Sequence, residues 1–452
     1  MAFGWTKHGD GKHLAPGEVV RPDERLSWPR MVGFGAQHVV AMFGATFVFP
    51  IVMGLSPNMA IMMSGVATIL FLLIVKGKVP SYLGTSASFV GGVLAIRALF
   101  GGDSPEASSV VVGAILVAGF VLALIGLAVH FLGVQIINKI FPPPVTGAVV
   151  MLIGFGLAYV VADVYWPQDQ WMALITMLIT FVVVVAFKGF VGRIAILVGL
   201  VAGYVLSWAA DRLFGMVPAY DDGAVQVAAH FRVDLSGVAE ADWFGLPPAT
   251  WPSFETSAVL LVLPAVIALV AENIGHVKAV GEMTKTDLDP YMGRAIAADG
   301  VATVVATSVG GSPTTTYAEN IGVMAATKVY STAAYYIAGV IAIGFGLMPK
   351  FGALVSATPS GVLGGITVIL YGMIGLLGAK IWIENRVDFA DPVNMVPIGA
   401  GIILAIGPVK QLISGDFRLE GIALGTIVVV GGWHLLRVIA RRTPEPVRIE
   451  AG

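Results

Sequence analysis

The chain contains no cysteine, which excludes a disulfide framework and any thiolate metal centre. It is also short of charge: Asp, Glu, Lys and Arg make up 12% of its 452 residues, against about 25% in a typical soluble domain. The shortage extends along the whole length and excludes a soluble globular protein. The net charge of −2 leaves no basic footprint for nucleic acid. No HExxH, cysteine cluster or nucleophile motif is present, so neither a catalytic residue nor a metal or cofactor is expected. The first thirty or so residues are polar and lack an apolar h-region, so no removable signal peptide is expected.

What is present is apolar. Hydrophobic residues make up 57% of the chain and the mean hydropathy is +0.87. Apolar stretches of roughly 17–25 residues, each long enough to cross a bilayer, recur from Met31 to about Ala440. The pattern reads as an all-α polytopic membrane protein of roughly fourteen segments. The third and tenth segments are exceptions. "VPSYLGTSASFVGG" and "GGSPTTTYAENIGV" are short, rich in Gly, Ser and Thr, and led by proline. Neither suits one continuous spanning helix, and a short extended strand is expected in each. With the N-terminus inside, about 20 of the 26 Lys and Arg residues fall on the cytoplasmic side, which places both termini there.

The expected organisation is a cytoplasmic tail at 1–30, a seven-segment repeat at 31–214 and an extracytoplasmic polar loop at 215–254. A second repeat at 255–440 and a cytoplasmic tail at 441–452 follow. Seven is odd, so the two repeats would be inverted. Interrupted segments at matching positions of such repeats point to a substrate site near the midplane.

Few ionisable residues lie inside the segments: His38, Glu272, His276, Asp299 and Glu319. An acidic side chain at a helix centre costs about 2.5–3.5 kcal/mol on insertion scales, so each needs a reason. Glu272 and His276 are four apart and share a helix face, where they can exchange a proton or form a buried structural bond between helices. Glu319 follows the extended "SPTTTYA", either facing a ligand there or serving as an acidic helix N-terminus. The Thr314–Thr316 hydroxyls could serve the ligand or only satisfy broken backbone. His38 lines a cavity or bonds a neighbouring carbonyl. Asp299 suits bracing of the interrupted segment better than ligand contact. Carboxylates facing broken backbone, with no Lys or Arg beside them, describe a site for a neutral planar ring with N–H and C=O groups rather than for an anion.

These residues resemble the nucleobase/ascorbate transporter family. The run from Glu319 and Asn320 through Gly322 to Thr327 and Lys328 is similar to the family signature, and Gln37–His38 resembles its second marker. The Glu-x-x-x-His of Glu272 and His276 is similar to proton-coupled bacterial uracil permeases, and "PDERLSWP" and "DPYMGRA" resemble pyrimidine permeases of uracil-catabolism operons. The resemblance covers residues 23–442. It implies fourteen spans, with a core domain from segments 1–4 and 8–11 and a gate domain from 5–7 and 12–14. Elevator-like transport, usually as a homodimer in the inner membrane of a bacterium, is also implied.

The implied substrate contacts are Glu272, Glu319, backbone at Ala318, Ala45 and the neighbouring Tyr317, with His276 and Glu272 in proton coupling. Where better-known uracil permeases place Phe, this chain has Ala87 in "YLGTSASF". The aromatic contact is lost or taken over by Phe89, and thymine or a purine would then be admitted.

The expected function is therefore a proton symporter for uracil and related pyrimidines. The alternative within the family is a xanthine or uric acid symporter. From other classes, an intramembrane enzyme using Glu272 and His276 would lack a third metal ligand, and a passive channel would fail to accumulate substrate.

Overall fold

The computed structural model describes residues 4–15, 17–221, 225–407, 409–414 and 417–441. The expected tail beyond 441 and the tip of the polar loop at 222–224 lie outside them. Among the described residues, eight helices are long and apolar enough to cross a membrane, or nine if the bent pair Thr332–Gly346 and Pro349–Ser356 counts as one span. The shortfall from fourteen has a physical reason at the two broken segments. There the helices Val90–Leu99 and Ala318–Thr327 have 10 residues each, about 15 Å of rise against about 30 Å of hydrocarbon.

The missing length is taken up by extended chain. Leu83–Thr85 and Thr314–Thr316 pair as antiparallel strands, with Leu83 opposite Thr316 and Thr85 opposite Thr314. All six residues are buried. Backbone polar groups inside a membrane must find partners; the ladder supplies some of them, and the outward-facing Leu83 N–H donates to the Thr68 hydroxyl at 2.9 Å.

The chain divides into two compact units. The larger comprises Met1–Ile136 and Ala158–Leu370, and holds both strands; the smaller comprises Ile137–Leu157 and Tyr371–Gly452. In the smaller unit, helices Pro143–Phe155, Pro392–Ile406 and Gly421–Ala440 pack together, and Trp433 donates its indole N–H to Asn394 Oδ1 at 2.8 Å.

In the larger unit the helices Pro105–Leu132 and Asp289–Thr307 lie almost backbone to backbone. A Cβ on Gly126 would sit 2.1 Å from the Ala297 nitrogen, and one on Gly300 would sit 2.3 Å from that of Ala123. Such small-residue contacts let membrane helices approach closely. The Asp289–Thr307 helix then supports the threonine strand from behind: the Thr303 hydroxyl accepts from the Thr314 N–H at 3.1 Å.

Two polar stretches that read as tail and loop are tied down. Near the N-terminus, Thr6–Lys7 pairs with Glu24–Arg25. The Val20 N–H donates to the Lys328 carbonyl at 2.9 Å and the Tyr330 N–H returns to Val20 at 2.8 Å, so the segment grips the end of the Ala318–Thr327 helix. In the 215–254 stretch, Arg232 bridges Asp169 at 2.6 Å and Asp211 at 3.2 Å, while the Ser253 N–H donates to the Ser109 carbonyl at 2.9 Å. Arg97, 5% exposed, donates to the Met53 and Gly54 carbonyls at 2.6 and 2.8 Å. It thereby caps the C-terminus of the first long helix, Trp28–Val52, where a cation suits the dipole.

Candidate functional site

The two short strands end where helices begin, and the ionisable residues gather around them. Thr315 Oγ1 donates to Glu272 Oε2 at 3.0 Å. Thr316 Oγ1 shares a hydrogen bond with His276 Nδ1 at 2.7 Å. Thr314 Oγ1 donates to Asp299 Oδ1 at 3.2 Å. Three consecutive threonines thus hold three different ionisable groups. The hydroxyls do more than satisfy their own broken backbone, because that task at Thr314 falls to Thr303.

Glu272 and His276 lie one turn apart on the helix Pro264–Thr284, both partly exposed, and each has its own threonine. Glu272 is within electrostatic reach of Asp299 and Glu319. Glu319 sits in the first turn of the Ala318–Thr327 helix, which packs beside Pro264–Thr284. Its carboxylate reaches its own backbone N–H, so the helix terminus contributes to holding it, while its partial exposure leaves surface for a ligand. Ala318, just before it, is exposed. Among the described residues neither Glu272 nor Glu319 pairs with Lys or Arg.

Asp299 is fully buried and does not open on the cleft. Besides Thr314 it accepts from Asn273 Nδ2 at 2.7 Å, which ties its helix to the Glu272 helix and to the threonine strand. Tyr317, 4% exposed, donates its hydroxyl to the Thr85 carbonyl at 2.9 Å and accepts from Thr46 at 3.0 Å. Its polar tip is therefore committed to protein, and its ring lies close against Gly84. Ala45 is buried at 7% exposure.

The turn Ala87–Phe89 packs against the Glu272 helix. Ala87 is partly exposed there, whereas Phe89 is enclosed completely. The space beside Ala87 is thus not occupied by an exposed Phe89 ring.

The signature residues meet one another. Asn320 Nδ2 donates to the His38 carbonyl at 2.8 Å and approaches His38 Nδ1 at 3.2 Å. The His38 ring lies 4.1 Å from that of Tyr335. Gln37 is half-buried next to His38, and its Oε1 has no hydrogen-bond partner among the described residues. Thr327 closes the helix by donating to the Val323 carbonyl at 2.9 Å, and Gly322 lies mid-helix, partly exposed. Sequence reasoning missed Asn273, Thr46 and Tyr335. Asn273 carried a signal, since "AENIG" occurs at both Glu272 and Glu319.

A small cavity lies elsewhere, at the Arg232 latch, lined by Gln168, Asp169, His230 and Ser360 among others; its room of about 20 Å³ suits a water rather than a ligand. The partly exposed Glu272, His276 and Glu319 are where convergent polar groups could recognise a small molecule.

Comparison with known proteins decides the family. Residues 30–413 match a family model described as the Permease family. The chain belongs to this family. RutG of Escherichia coli (strain K12), a candidate pyrimidine permease, is 45% identical over 410 residues, 90% of either chain. The uracil permease of the same organism is 33% identical over 440 residues, 95% of this chain and 96% of its own. That of Bacillus caldolyticus is 36% identical over 443 residues, 94% and 96% of the two chains. The permease is a multi-pass membrane protein and, like these relatives, not an enzyme.

In fold it is similar to the transmembrane domain of the cyanobacterial bicarbonate transporter BicA, with a TM-score of 0.61 at 15% identity over 89% of this chain and 97% of that one. It is also similar to SLC26A9, with a TM-score of 0.66 at 12% identity over 92% and 66%. At these identities the likeness concerns the fold alone.

Proposed function

We propose that the permease is a proton-coupled symporter that imports uracil and related pyrimidine nucleobases across the cytoplasmic membrane. The observation that carries this reading is the pair of partly exposed carboxylates, Glu272 and Glu319, on neighbouring helices beside the paired strands, with no cation at either. A carboxylate accepts from a ring N–H, and free backbone N–H groups at the start of the Ala318–Thr327 helix can donate to a ring C=O. An anion would require the opposite charge at the site. The uracil permeases among the relatives support the same substrate class.

In this proposal Glu272 and Glu319 hold the ring, Ala318 offers backbone, and Ala45 and Ala87 shape the pocket, while the enclosed Phe89 and Tyr317 only support it from behind. His276 and Glu272 handle the coupled proton. Fourteen segments in two inverted repeats, a core moving against a gate, a homodimer and cytoplasmic termini complete the scheme. A second reading, a xanthine or uric acid symporter, gains support from the partly exposed Ala87, which leaves room for a second ring.

The test is uptake of labelled uracil at several pH values, with and without a protonophore, in competition with thymine, xanthine and adenine. Uptake against a gradient that collapses with protonophore is expected. Uptake that only equilibrates would mean a channel, and stronger competition by xanthine than by thymine would favour the purine reading.

A further inference from the structure

The structure assigns Thr315 and Thr316 as positioning residues that fix Glu272 and His276 to the threonine strand. This rests on the symporter reading for its meaning, but its geometry stands alone. Both hydroxyls belong to a strand that has little freedom of its own. It is paired to Leu83–Thr85, held from behind by Thr303 and Asp299, and continued by Tyr317, whose N–H donates to the Tyr82 carbonyl at 2.9 Å. The helix carrying Glu272 and His276 is a separate element, and among the described residues these two hydroxyls supply the side-chain hydrogen bonds that fix both rotamers against the strand.

The two bonds leave defined surfaces free. Thr315 engages Oε2 of Glu272, which leaves Oε1 for a ligand. Thr316 engages Nδ1 of His276, which leaves Nε2. Thr315 and Thr316 are 3% and 1% exposed, so solvent does not compete for either bond. A threonine hydroxyl has one proton and can also accept. It can therefore donate to the bare nitrogen or accept from the protonated one, and it stays bonded as His276 changes state. Valine has the same shape and can do neither. The titratable groups around the strand pair are Glu272 and His276 from one helix, Asp299 from the next, Glu319 from the one that follows, Tyr82 and Tyr317 at the strand ends, and His38 from the Trp28–Val52 helix; the turn Ala87–Phe89 adds none. The adjoining Pro105–Leu132 helix carries Glu106 and His130 near its ends.

The full-length protein in proteoliposomes tests the assignment with Thr315→Val, Thr316→Val and Thr316→Ser. Thr316→Val is expected to keep uracil counterflow, which needs no proton gradient, within roughly tenfold. The midpoint of its pH-driven accumulation should fall by roughly half to one pH unit, the difference between losing a hydrogen bond to the charged imidazole and losing one to the neutral ring. Thr316→Ser should restore the profile. Thr315→Val is expected to raise the KM for uracil roughly tenfold or more with a smaller change in kcat. An unaltered pH profile in Thr316→Val, or a serine variant as impaired as the valine, would overturn the assignment.

A substrate-free readout separates this from the symporter reading. The imidazole ¹⁵N signal of His276, assigned by its loss in His276→Gln, should shift in Thr316→Val and return in Thr316→Ser. If the unmutated protein does not take up uracil, the substrate reading falls, while an unmoved imidazole signal would sink the positioning role by itself.

Discussion

Asn273 and Asn320 each follow a site carboxylate and each turn away from the cleft. Glu272 and Glu319 are partly exposed, whereas both asparagines are fully buried. Asn273 donates to Asp299 and Asn320 to His38. The repeated "AENIG" therefore has one arrangement twice: a carboxylate is left partly exposed and the adjacent amide bolts its helix to a neighbour.

Glu319→Gln keeps the shape and removes the charged acceptor. Losing such an acceptor for a buried N–H costs roughly 1.5–3 kcal/mol, about one to two decades in affinity. Uracil binding should weaken by that factor in monodisperse, purified protein. Near-normal affinity by calorimetry would remove Glu319 from the site.

Asp299→Ala removes the acceptor of one buried Asn273 amide proton, while the Thr314 hydroxyl can turn to Thr303 Oγ1 at 3.0 Å and the other amide proton keeps the Leu269 carbonyl. One orphaned buried donor costs about 1–3 kcal/mol, so the melting temperature in detergent should fall. Because Asp299 does not face the cleft, the loss should appear in stability before affinity. A variant that melts like the parent yet fails to bind would instead make Asp299 a ligand contact.

Gly84→Ala places a methyl 2.3 Å from Tyr317 Cζ and 2.6 Å from Thr46 Oγ1. The tyrosine must move, and with it the bond to Thr85 that ties the strand ends. Overpacking of this kind costs about 1–3 kcal/mol. Transport should drop sharply, and adding Tyr317→Phe should not rescue it, since the ring rather than the hydroxyl is obstructed. Full activity in Gly84→Ala would contradict the packing.

Ala87→Phe fills the space beside Ala87. Aromatic stacking on a base is worth about 1–3 kcal/mol in nucleic-acid sites, so uracil should bind more tightly and xanthine should cease to compete. An equal loss for every substrate in the competition profile would retract the claim of a wider pocket.

His8 lies outside the membrane-spanning helices, 2.9 Å from Glu24 and 3.5 Å from Glu18. The hydrogen bond to Glu24 raises its pKa above the ordinary histidine value. Its contribution to the N-terminal clip is therefore fully present below about pH 6.5, and is lost as pH rises through the raised value. Hydrogen exchange at the Val20 amide should quicken over that interval in the parent and lose this dependence in His8→Gln. Identical pH dependence in both proteins would exclude His8 as the cause.

How much of this could be read in the sequence depends on the range of the signal. The spans were visible because burial in lipid imposes long apolar runs, and the two broken segments because Pro, Gly, Ser and Thr interrupt them. Glu272, His276 and Glu319 stood out as charges in apolar surroundings. Their partners did not. Thr315 and Thr316 are ordinary strand residues until the Glu272 helix is beside them, and Tyr335 in "STAAYYIAG" looks like any aromatic in an apolar run. Arg97 counted only as a charge for orientation, yet it caps a helix that ends over forty residues earlier. The ladder between Thr6–Lys7 and Glu24–Arg25 is too short to leave a periodicity.

The pairing of Leu83–Thr85 with Thr314–Thr316 also sets a timetable for assembly. The Thr85 hydroxyl meets that of Ser312, 227 residues later in the chain, at 2.7 Å. At about 5–20 residues per second, that interval is roughly 10–45 s of synthesis. Throughout it the first strand is inserted or waiting with its ladder groups unmatched, where bare backbone polar groups are costly. Biogenesis must therefore either delay the third segment's entry into lipid or shelter it until the tenth arrives. A ribosome-bound chain stopped short of Thr316 would hold most of the hydrophobic mass of the permease, with Glu272 and His276 already in it, yet lack Glu319 and the completed strand pair.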